Sequence, residues 1–336
     1  MATETKKKRI LTGDRPTGEL HLGHFVGSLS MRVQMQEDYD TYLLVADVQA
    51  LTDNYDNPEK IRSHVLKDVL GNIAAGVDPE KVTFVLQSSI PQTAELAIFL
   101  SNLISIQKLG HNPTVKTELK QKGMDDSTPL GFFMYPVHQA ADITIADADL
   151  VPVGEDQLPH VELTRDIVQK FNGIYGNVLK LPEAKISKFG RLIGLDNNAK
   201  MSKSLNNAIF LNETPEELEK KIMSMYTDPN RIRATDPGKV EGNPVFIYHD
   251  AFNPNKEELA DLKKRYLEGK VGDIEVKEKL YTALNNFLQP LRERRAKYED
   301  DKMLTEILRE GTKRAYKTAE DVLGRVKAAM HILPLN

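Results

Sequence analysis

The chain has 336 residues, ordinary apolar and charged fractions for a globular protein and a net charge of −4, so two domains are the soft expectation and nothing in the overall charge favours a nucleic-acid partner. No apolar run approaches the roughly 20 residues that span a bilayer, and no signal-peptide pattern opens the chain. Cysteine is absent, which excludes disulfides and thiolate zinc sites and fits a reducing cytoplasm.

Met1 to Arg9 is polar and lysine-rich and is expected to fray. Ile10-Leu11-Thr12 then reads as a strand. A Gly/Pro loop follows, Gly13-Asp14-Arg15-Pro16-Thr17-Gly18. An apolar-periodic helix starts at Leu22 and continues through Phe25, Val26, Leu29, Met31 and Val33. His21 and His24 stand at its start, three apart and on one face, where unsatisfied N–H groups and the dipole welcome an anion. Tyr42 to Val45 is a second strand. A helix opened by Asn57-Pro58 runs to Gly76, and Val82 to Leu86 is a third strand. Thr93 to Ser105 is helical. The polar stretch Lys108 to Pro129, with Asn112-Pro113 and Gly123-Met124, breaks the rhythm as an insertion. Phe132 to Ala146 is helical again, Leu150 to Val153 is the last expected strand, and Leu158 to Phe171 follows as a helix. This βαβ rhythm predicts an α/β fold, a parallel sheet covered on both faces with ligands at the carboxyl ends of its strands.

Lys200-Met201-Ser202-Lys203-Ser204 lies between Asp196-Asn197-Asn198 and Asn206-Asn207. Turn formers on both sides predict a mobile basic loop whose two ammonium groups suit a leaving pyrophosphate. Met201 has no evident structural role within it. From Thr214 to Met330 the pattern is helical throughout, with segments 216–225, 256–267, 273–288 and 305–330. Arg292, Arg294, Arg295 and Lys297, then Arg309, Lys313, Arg314 and Lys317, form either a local RNA-binding face or a solvated helix face with Glu293, Glu299 and Glu310 interleaved. The expected boundary lies near residue 206.

His21-Leu22-Gly23-His24 and Lys200-Met201-Ser202-Lys203-Ser204, in this order, resemble the paired signatures of class I aminoacyl-tRNA synthetases. Tyr135-Pro136-Val137-His138-Gln139-Ala140-Ala141-Asp142-Ile143, Val151-Pro152-Val153-Gly154-Glu155-Asp156-Gln157 and Ser224-Met225-Tyr226-Thr227-Asp228-Pro229 sharpen the resemblance to the bacterial-type tryptophanyl-tRNA synthetases over nearly the whole chain. The resemblance implies a Rossmann-like catalytic domain at 1–206, with an insertion at about 108–130 and the lysine loop at 196–206, and an α-helical anticodon-binding domain at 207–336. It implies a cytoplasmic homodimer that uses ATP, Mg²⁺ carried on the phosphates, L-tryptophan and tRNA(Trp).

By the same resemblance, Arg15, Pro16, Thr17, Gly23 and His24 cradle ATP. Gly154, Glu155 and Asp156 hold the ribose region, Leu192 lies beside adenine, and Lys200, Met201, Ser202, Lys203 and Ser204 cover the phosphates. His21, His24, Lys200 and Lys203 are the implied catalytic set. Tyr135, Gln139, Asp142 and Gln157 line the amino-acid site, with Asp142 accepting from the indole N–H; no protein metal cage is implied. Gln139 stands where many bacterial members carry Met, and tyrosyl-tRNA synthetases often show a glutamine there. A tyrosine-specific ligase of the same class, or a non-catalytic RNA-binding or regulatory paralogue, are the alternatives. The chain itself contains no tryptophan.

Overall fold

The computed structural model describes residues 7–122, 128–186, 192–197, 201, 205–228, 231, 233 and 235–334. Met1 to Lys6 of the tail expected to fray lie outside them, and Arg9 already opens the first strand. Strands β1 (Arg9–Asp14), β2 (Asp40–Val45), β3 (Val82–Leu86), β4 (Leu150–Val153) and β5 (Glu183–Ile186) form one parallel sheet in the order β3-β2-β1-β4-β5. The chain enters at the middle, builds one side through β2 and β3, then returns to the other side of β1. The switch between β1 and β4 opens a crevice at the carboxyl ends of the strands, where open α/β sheets take their ligands. Asp14 pairs in register with Val45, and Val45 with Leu86, so these residues stand level on that edge.

The crossovers are helical. α1 (Leu22–His24), a π-helical turn (Phe25–Leu29) and α2 (Ser30–Met35) run on from one another between β1 and β2. α3 (Asp47–Ala50) and α4 (Pro58–Ala75) link β2 to β3. α5 (Gln92–Ser101), α6 (Ile106–His111), α7 (Pro113–Lys122) and α8 (Leu130–Ile145) link β3 to β4, and α9 (Leu158–Tyr175) links β4 to β5. α4 follows from its ends: Asn57 accepts from the Lys60 N–H, Pro58 occupies the first turn, and Gly76 stops the helix at φ +114°.

Two expectations are corrected. Leu150 to Val153 is not the last strand. β5 follows it, a four-residue edge strand whose residues are mostly exposed, so it lacks the apolar run that marks the buried strands. The helix expected at 93–105 stops at Ser101, and a separate α6 begins at Ile106 after a Ser105 cap.

Beyond β5 the elements among the described residues are helices, α10 (Pro215–Met223), α11 (Pro244–Phe252), α12 (Lys256–Leu267), α13 (Asp273–Lys297) and α14 (Asp301–Ala329). The sequence pattern missed α11, and it ended α13 at Leu288 although the helix continues through Pro290. Leu218, Ile222, Phe246 and Tyr248 share one buried cluster with Leu20 and Leu22 from the start of the chain. α14 turns back to the sheet. Its Leu304 and Leu308 pack with Leu43, Val45 and Phe84, and Thr312 Oγ1 accepts the Leu86 N–H at 2.9 Å. The last helix thereby covers β3, the edge strand on that side.

Gly311 permits this approach, because a Cβ there would lie 2.1 Å from the Phe84 carbonyl oxygen, whereas Gly324 on the same helix faces open space. Alanine in an open helix interior gains about 0.5–1 kcal/mol over glycine. Gly324→Ala should stabilise by that amount. Gly311→Ala should instead destabilise by about 1–3 kcal/mol through overpacking. Thermal unfolding of the two variants checks the opposite signs.

Candidate active site

The carboxyl end of β1 is held by a buried ion pair. Arg32, 2% exposed, donates from both terminal nitrogens to Asp14, and also to Thr12 Oγ1 (3.0 Å), Asn72 Oδ1 (2.8 Å) and the Gly13 carbonyl (3.1 Å). Asn72 Nδ2 returns a hydrogen bond to Asp14 at 3.3 Å. Burial opposes ionisation of Asp14, but the Arg32 charge and hydrogen bonds prevail, helped by the His24 charge and Asn72, and hold its carboxyl at about 2. Between His24 and Arg32 lies the π-helical turn, a one-residue change of register of the kind often found at functional sites. Arg32 and Asn72 escaped the sequence reading. The available signal was a lone arginine inside the apolar stretch from Leu22 to Val33, with Asp14 upstream.

His21 and His24 share one face as expected, with ring centroids 3.8 Å apart and planes 34° apart. The His21 backbone N–H donates to His24 Nδ1 at 3.1 Å. In the neutral ring that leaves the proton on Nε2, so His24 presents an N–H donor on its far side. The expectation of unsatisfied N–H groups at this helix start is corrected in part. The His21 N–H is bound to His24, and the Leu22 N–H donates to the Ile209 carbonyl at 2.9 Å.

That last bond belongs to a pairing between the entry to α1 and the segment that follows the lysine string. Leu22 N–H to Ile209 O and Leu211 N–H to Leu20 O (3.0 Å) pair the entry to α1 with the segment after the lysine loop, with His21 opposite Phe210. The loop's base is closed by Leu195 N–H to Asn207 O (3.0 Å) and by Asn207 Nδ2 to Asp196 Oδ1 (2.8 Å). Asn197 and Asn206 both take left-handed conformations, φ +68° and +51°, which is the turn chemistry expected on either side. Lys200, Ser202, Lys203 and Ser204 lie outside the described residues. Met201 lies inside them, 5% exposed, in one cluster with Leu20, Leu22 and Leu192. Its Sδ would be 3.2 Å from a Cβ on Gly23. Met201 therefore has a structural role that the sequence did not show, packing in the core beside the helix start.

Tyr135, Gln139 and Asp142 fall at helical spacing on α8. Asp142 is 4% exposed, and its Oδ2 accepts from Gln87 Nε2 at 2.7 Å, with His138 Nδ1 at 3.5 Å. Burial lowers the His138 pKa, but its hydrogen bond to Asp142 and the Asp142 charge raise it above the ordinary histidine range. Tyr135 is buried with its hydroxyl 3.1 Å from His160 Nε2. Burial, then the charge and hydrogen bond of Glu118 on α7, push its phenol up, and the Arg15 charge opposes them. The loop after β1 and α8 are thus neighbours. Gln139 and Gln157 are half-buried.

In the loop, exposed Arg15 lies 3.6 Å from Asp53, Pro16 is buried, and the Thr17 N–H donates to the Arg15 carbonyl at 2.7 Å. Gly154 precedes the short turn Glu155–Gln157 beyond β4 and accepts the Gln157 N–H at 3.0 Å. Glu155 is exposed, Leu192 is buried, and the Asp156 side chain lies outside the description.

The basic helix face is reduced. Arg292 Nε donates to the Glu213 carbonyl (2.7 Å) and Arg294 Nε to the Ala74 carbonyl (2.9 Å), so both turn inward. Arg309 pairs with Glu306 and Lys313 lies 3.9 Å from Glu310, which leaves Arg314 and Lys317 exposed on α14.

The family model described as tRNA synthetases class I (W and Y) matches residues 3–289. A tryptophan–tRNA ligase of Clostridium longisporum is 50% identical over 332 residues, 97% of each chain. One of Streptococcus pneumoniae is 49% identical over 333 residues, 96% of this chain and 98% of its own. The crystal structure of tryptophanyl-tRNA synthetase from Campylobacter jejuni complexed with ADP and tryptophan is 32% identical, with a TM-score of 0.85 over 96% of this chain and 100% of that one.

The ion pair has a pH signature. Asp14 titrates near 3.8 when unfolded and at about 2 in the fold. Its stabilising contribution is full above about pH 4 and is lost as pH falls towards 2. Asp14→Asn should flatten that acid limb in urea titrations at pH 2–5. Arg32→Met, which strands the carboxylate, should cost about 3–5 kcal/mol at pH 7.

Proposed function

The chain belongs to the class I tRNA synthetases of the tryptophan and tyrosine type, and we propose that it activates L-tryptophan with ATP and transfers it to tRNA(Trp). Near-half identity with tryptophan–tRNA ligases along both full lengths supports this specificity, as does the likeness to a synthetase structure holding ADP and tryptophan. The observation that carries the reading is Met201 against Gly23, beside the backbone pairing of Leu22 with Ile209 and Leu20 with Leu211 at the entry to α1.

In the proposed reaction a tryptophan carboxylate oxygen attacks the α-phosphorus of MgATP in line. The P–O bond to pyrophosphate breaks, and a hydroxyl of the terminal tRNA ribose then takes the tryptophanyl group from the adenylate as the mixed-anhydride C–O bond breaks and AMP leaves. Such chemistry needs positioning and charge stabilisation more than covalent help. Arg15, Pro16, Thr17, Gly23 and His24 cradle the nucleotide, Gly154, Glu155 and Asp156 hold its ribose region, and Leu192 flanks the adenine. His24 offers its Nε2–H to a phosphoryl oxygen, and His21 packs behind it. Lys200 and Lys203, within the loop 196–206 that includes Met201, Ser202 and Ser204, follow the departing pyrophosphate. Asp142 reads the indole N–H, with Tyr135, Gln139 and Gln157 around the amino acid. A buried acceptor of this kind rejects side chains that leave it unpaired.

The catalytic unit proposed is 1–206 and the anticodon-binding unit 207–336, with the exposed basic residues of α14 on the latter. A cytoplasmic homodimer completes the proposal. Among the described residues no helix is long and apolar enough to cross a membrane. Ile98, Ile106 and Leu130, all large and exposed on α5, α6 and α8, offer apolar surface around the 108–130 insertion for a second copy.

ATP–pyrophosphate exchange with each aromatic amino acid tests the reading. Exchange is expected with tryptophan and not with tyrosine or phenylalanine; tyrosine-dependent exchange, or none, overturns it. Lys203→Ala should lower the exchange rate about 100-fold or more, the loss of one charge contact made in the transition state, with little change in KM for tryptophan. An unchanged kcat removes the loop from the mechanism.

A further inference from the structure

One of the two oxygens of Asp142 is already committed by the fold. Gln87 follows β3 and is held at both ends of its amide. Oε1 accepts the Gln49 backbone N–H at 2.9 Å, and Nε2 donates to Asp142 Oδ2 at 2.7 Å. His138, one helical turn before Asp142, brings Nδ1 to 3.5 Å from the same Oδ2 and to 3.4 Å from Gln87 Nε2. Among the described residues nothing donates to Asp142 Oδ1. The three side chains therefore form a closed triangle on one oxygen and leave the other for a ligand.

The triangle has two hydrogen-bonding states. Gln87 Nε2 carries two protons, and one is fixed on Asp142. When His138 Nδ1 lacks a proton it can accept the second from Gln87. When Nδ1 is protonated it can only donate, and Asp142 Oδ2 is the acceptor within reach. A cationic His138 then draws charge from the carboxylate, which weakens Oδ1 as an acceptor. Asp142 is the charge that acts on His138. Several charged groups on the elements packed against α8 are engaged elsewhere, while Arg314 and Lys317 on α14 are exposed. Glu95 on α5 lies 2.6 Å from Lys327 of α14, Glu162 and Arg165 on α9 pair at 3.7 Å, Lys108 on α6 pairs with Asp166 at 2.8 Å, and Asp53 faces Arg15.

We propose that Gln87 and His138 are positioning residues for amino-acid specificity: Gln87 turns Asp142 so that Oδ1 alone meets the ring N–H, and the proton on His138 sets how strongly that oxygen accepts. This rests on the reading of Asp142 given above. Recognition of the ring N–H tightens as His138 loses its proton, over a pH range above the ordinary histidine value of 6.5. The tightening is about three- to tenfold, the difference between hydrogen bonds to a charged and to a neutralised acceptor.

The test compares two ligands. L-tryptophan and its benzothiophene analogue, which has sulfur in place of the ring N–H, share their other titrating groups, so the ratio of their affinities isolates the N–H contact. The chain has no tryptophan of its own, so binding of L-tryptophan can be followed by the substrate's indole fluorescence, with the analogue as competitor. Between pH 6 and 9 the ratio in the wild type should rise about three- to tenfold in favour of tryptophan. In His138→Gln, and in His138→Asn as a second variant, it should be flat. A wild-type ratio that is large but independent of pH overturns this inference and leaves Asp142 as the reader. A pH-dependent ratio that persists unchanged in both variants overturns it also. A ratio near one at every pH overturns the Asp142 reading and this inference together.

Discussion

Two backbone hydrogen bonds hold the site in one piece. Leu22 N–H to Ile209 O and Leu211 N–H to Leu20 O join residues 187 and 191 positions apart, on either side of β2 to β5. Without them the histidines at the start of α1 and the lysine loop would belong to separate parts of the chain. With them, Met201 seats against Gly23, and the loop's base closes between Asp196 and Asn207. A glycine is required at position 23, because a Cβ there would also come within 2.9 Å of the His21 ring. The sequence keeps a small residue between two histidines for a steric reason independent of any ligand.

The sheet supplies the other half of the geometry. β1 stops at Asp14, and Arg32 reaches back over the π-helical turn to fix that end from below. A buried ion pair adds little to stability relative to apolar residues of similar size, and it earns its place by specifying one arrangement. The loop that follows, Arg15–Gly18, comes near α8, where the Arg15 charge acts on Tyr135.

Much of this was legible beforehand because it depends on local patterning. Buried parallel strands such as Tyr42–Val45 carry continuous apolar runs, and α4 announces both of its ends with Asn57-Pro58 and Gly76. Asn197 and Asn206 adopt the left-handed turns that their residue type suggests. What escaped depends on contacts distant in sequence. β5 is an exposed four-residue edge strand defined by its partner β4. α11 rests on Tyr248 and Phe246 meeting a core drawn from both ends of the chain. Arg292 and Arg294 look like a basic face in sequence and prove to be clamps on carbonyls of residues 79 and 220 positions away. Gln87 carries no motif, and its importance comes from where Gln49 and Asp142 stand around it.

Met201 packs against Gly23, and the proposal that this contact positions the basic string for catalysis has a direct test. Single-turnover formation of tryptophanyl-adenylate tests it most directly, with Met201→Ala compared to Met201→Leu and tryptophan binding monitored separately. The account predicts that the alanine variant binds tryptophan normally but forms adenylate about 10- to 100-fold more slowly, since small misplacements of a charge contact have that effect, while the leucine variant stays near the wild-type rate. Wild-type adenylate formation in Met201→Ala would contradict it.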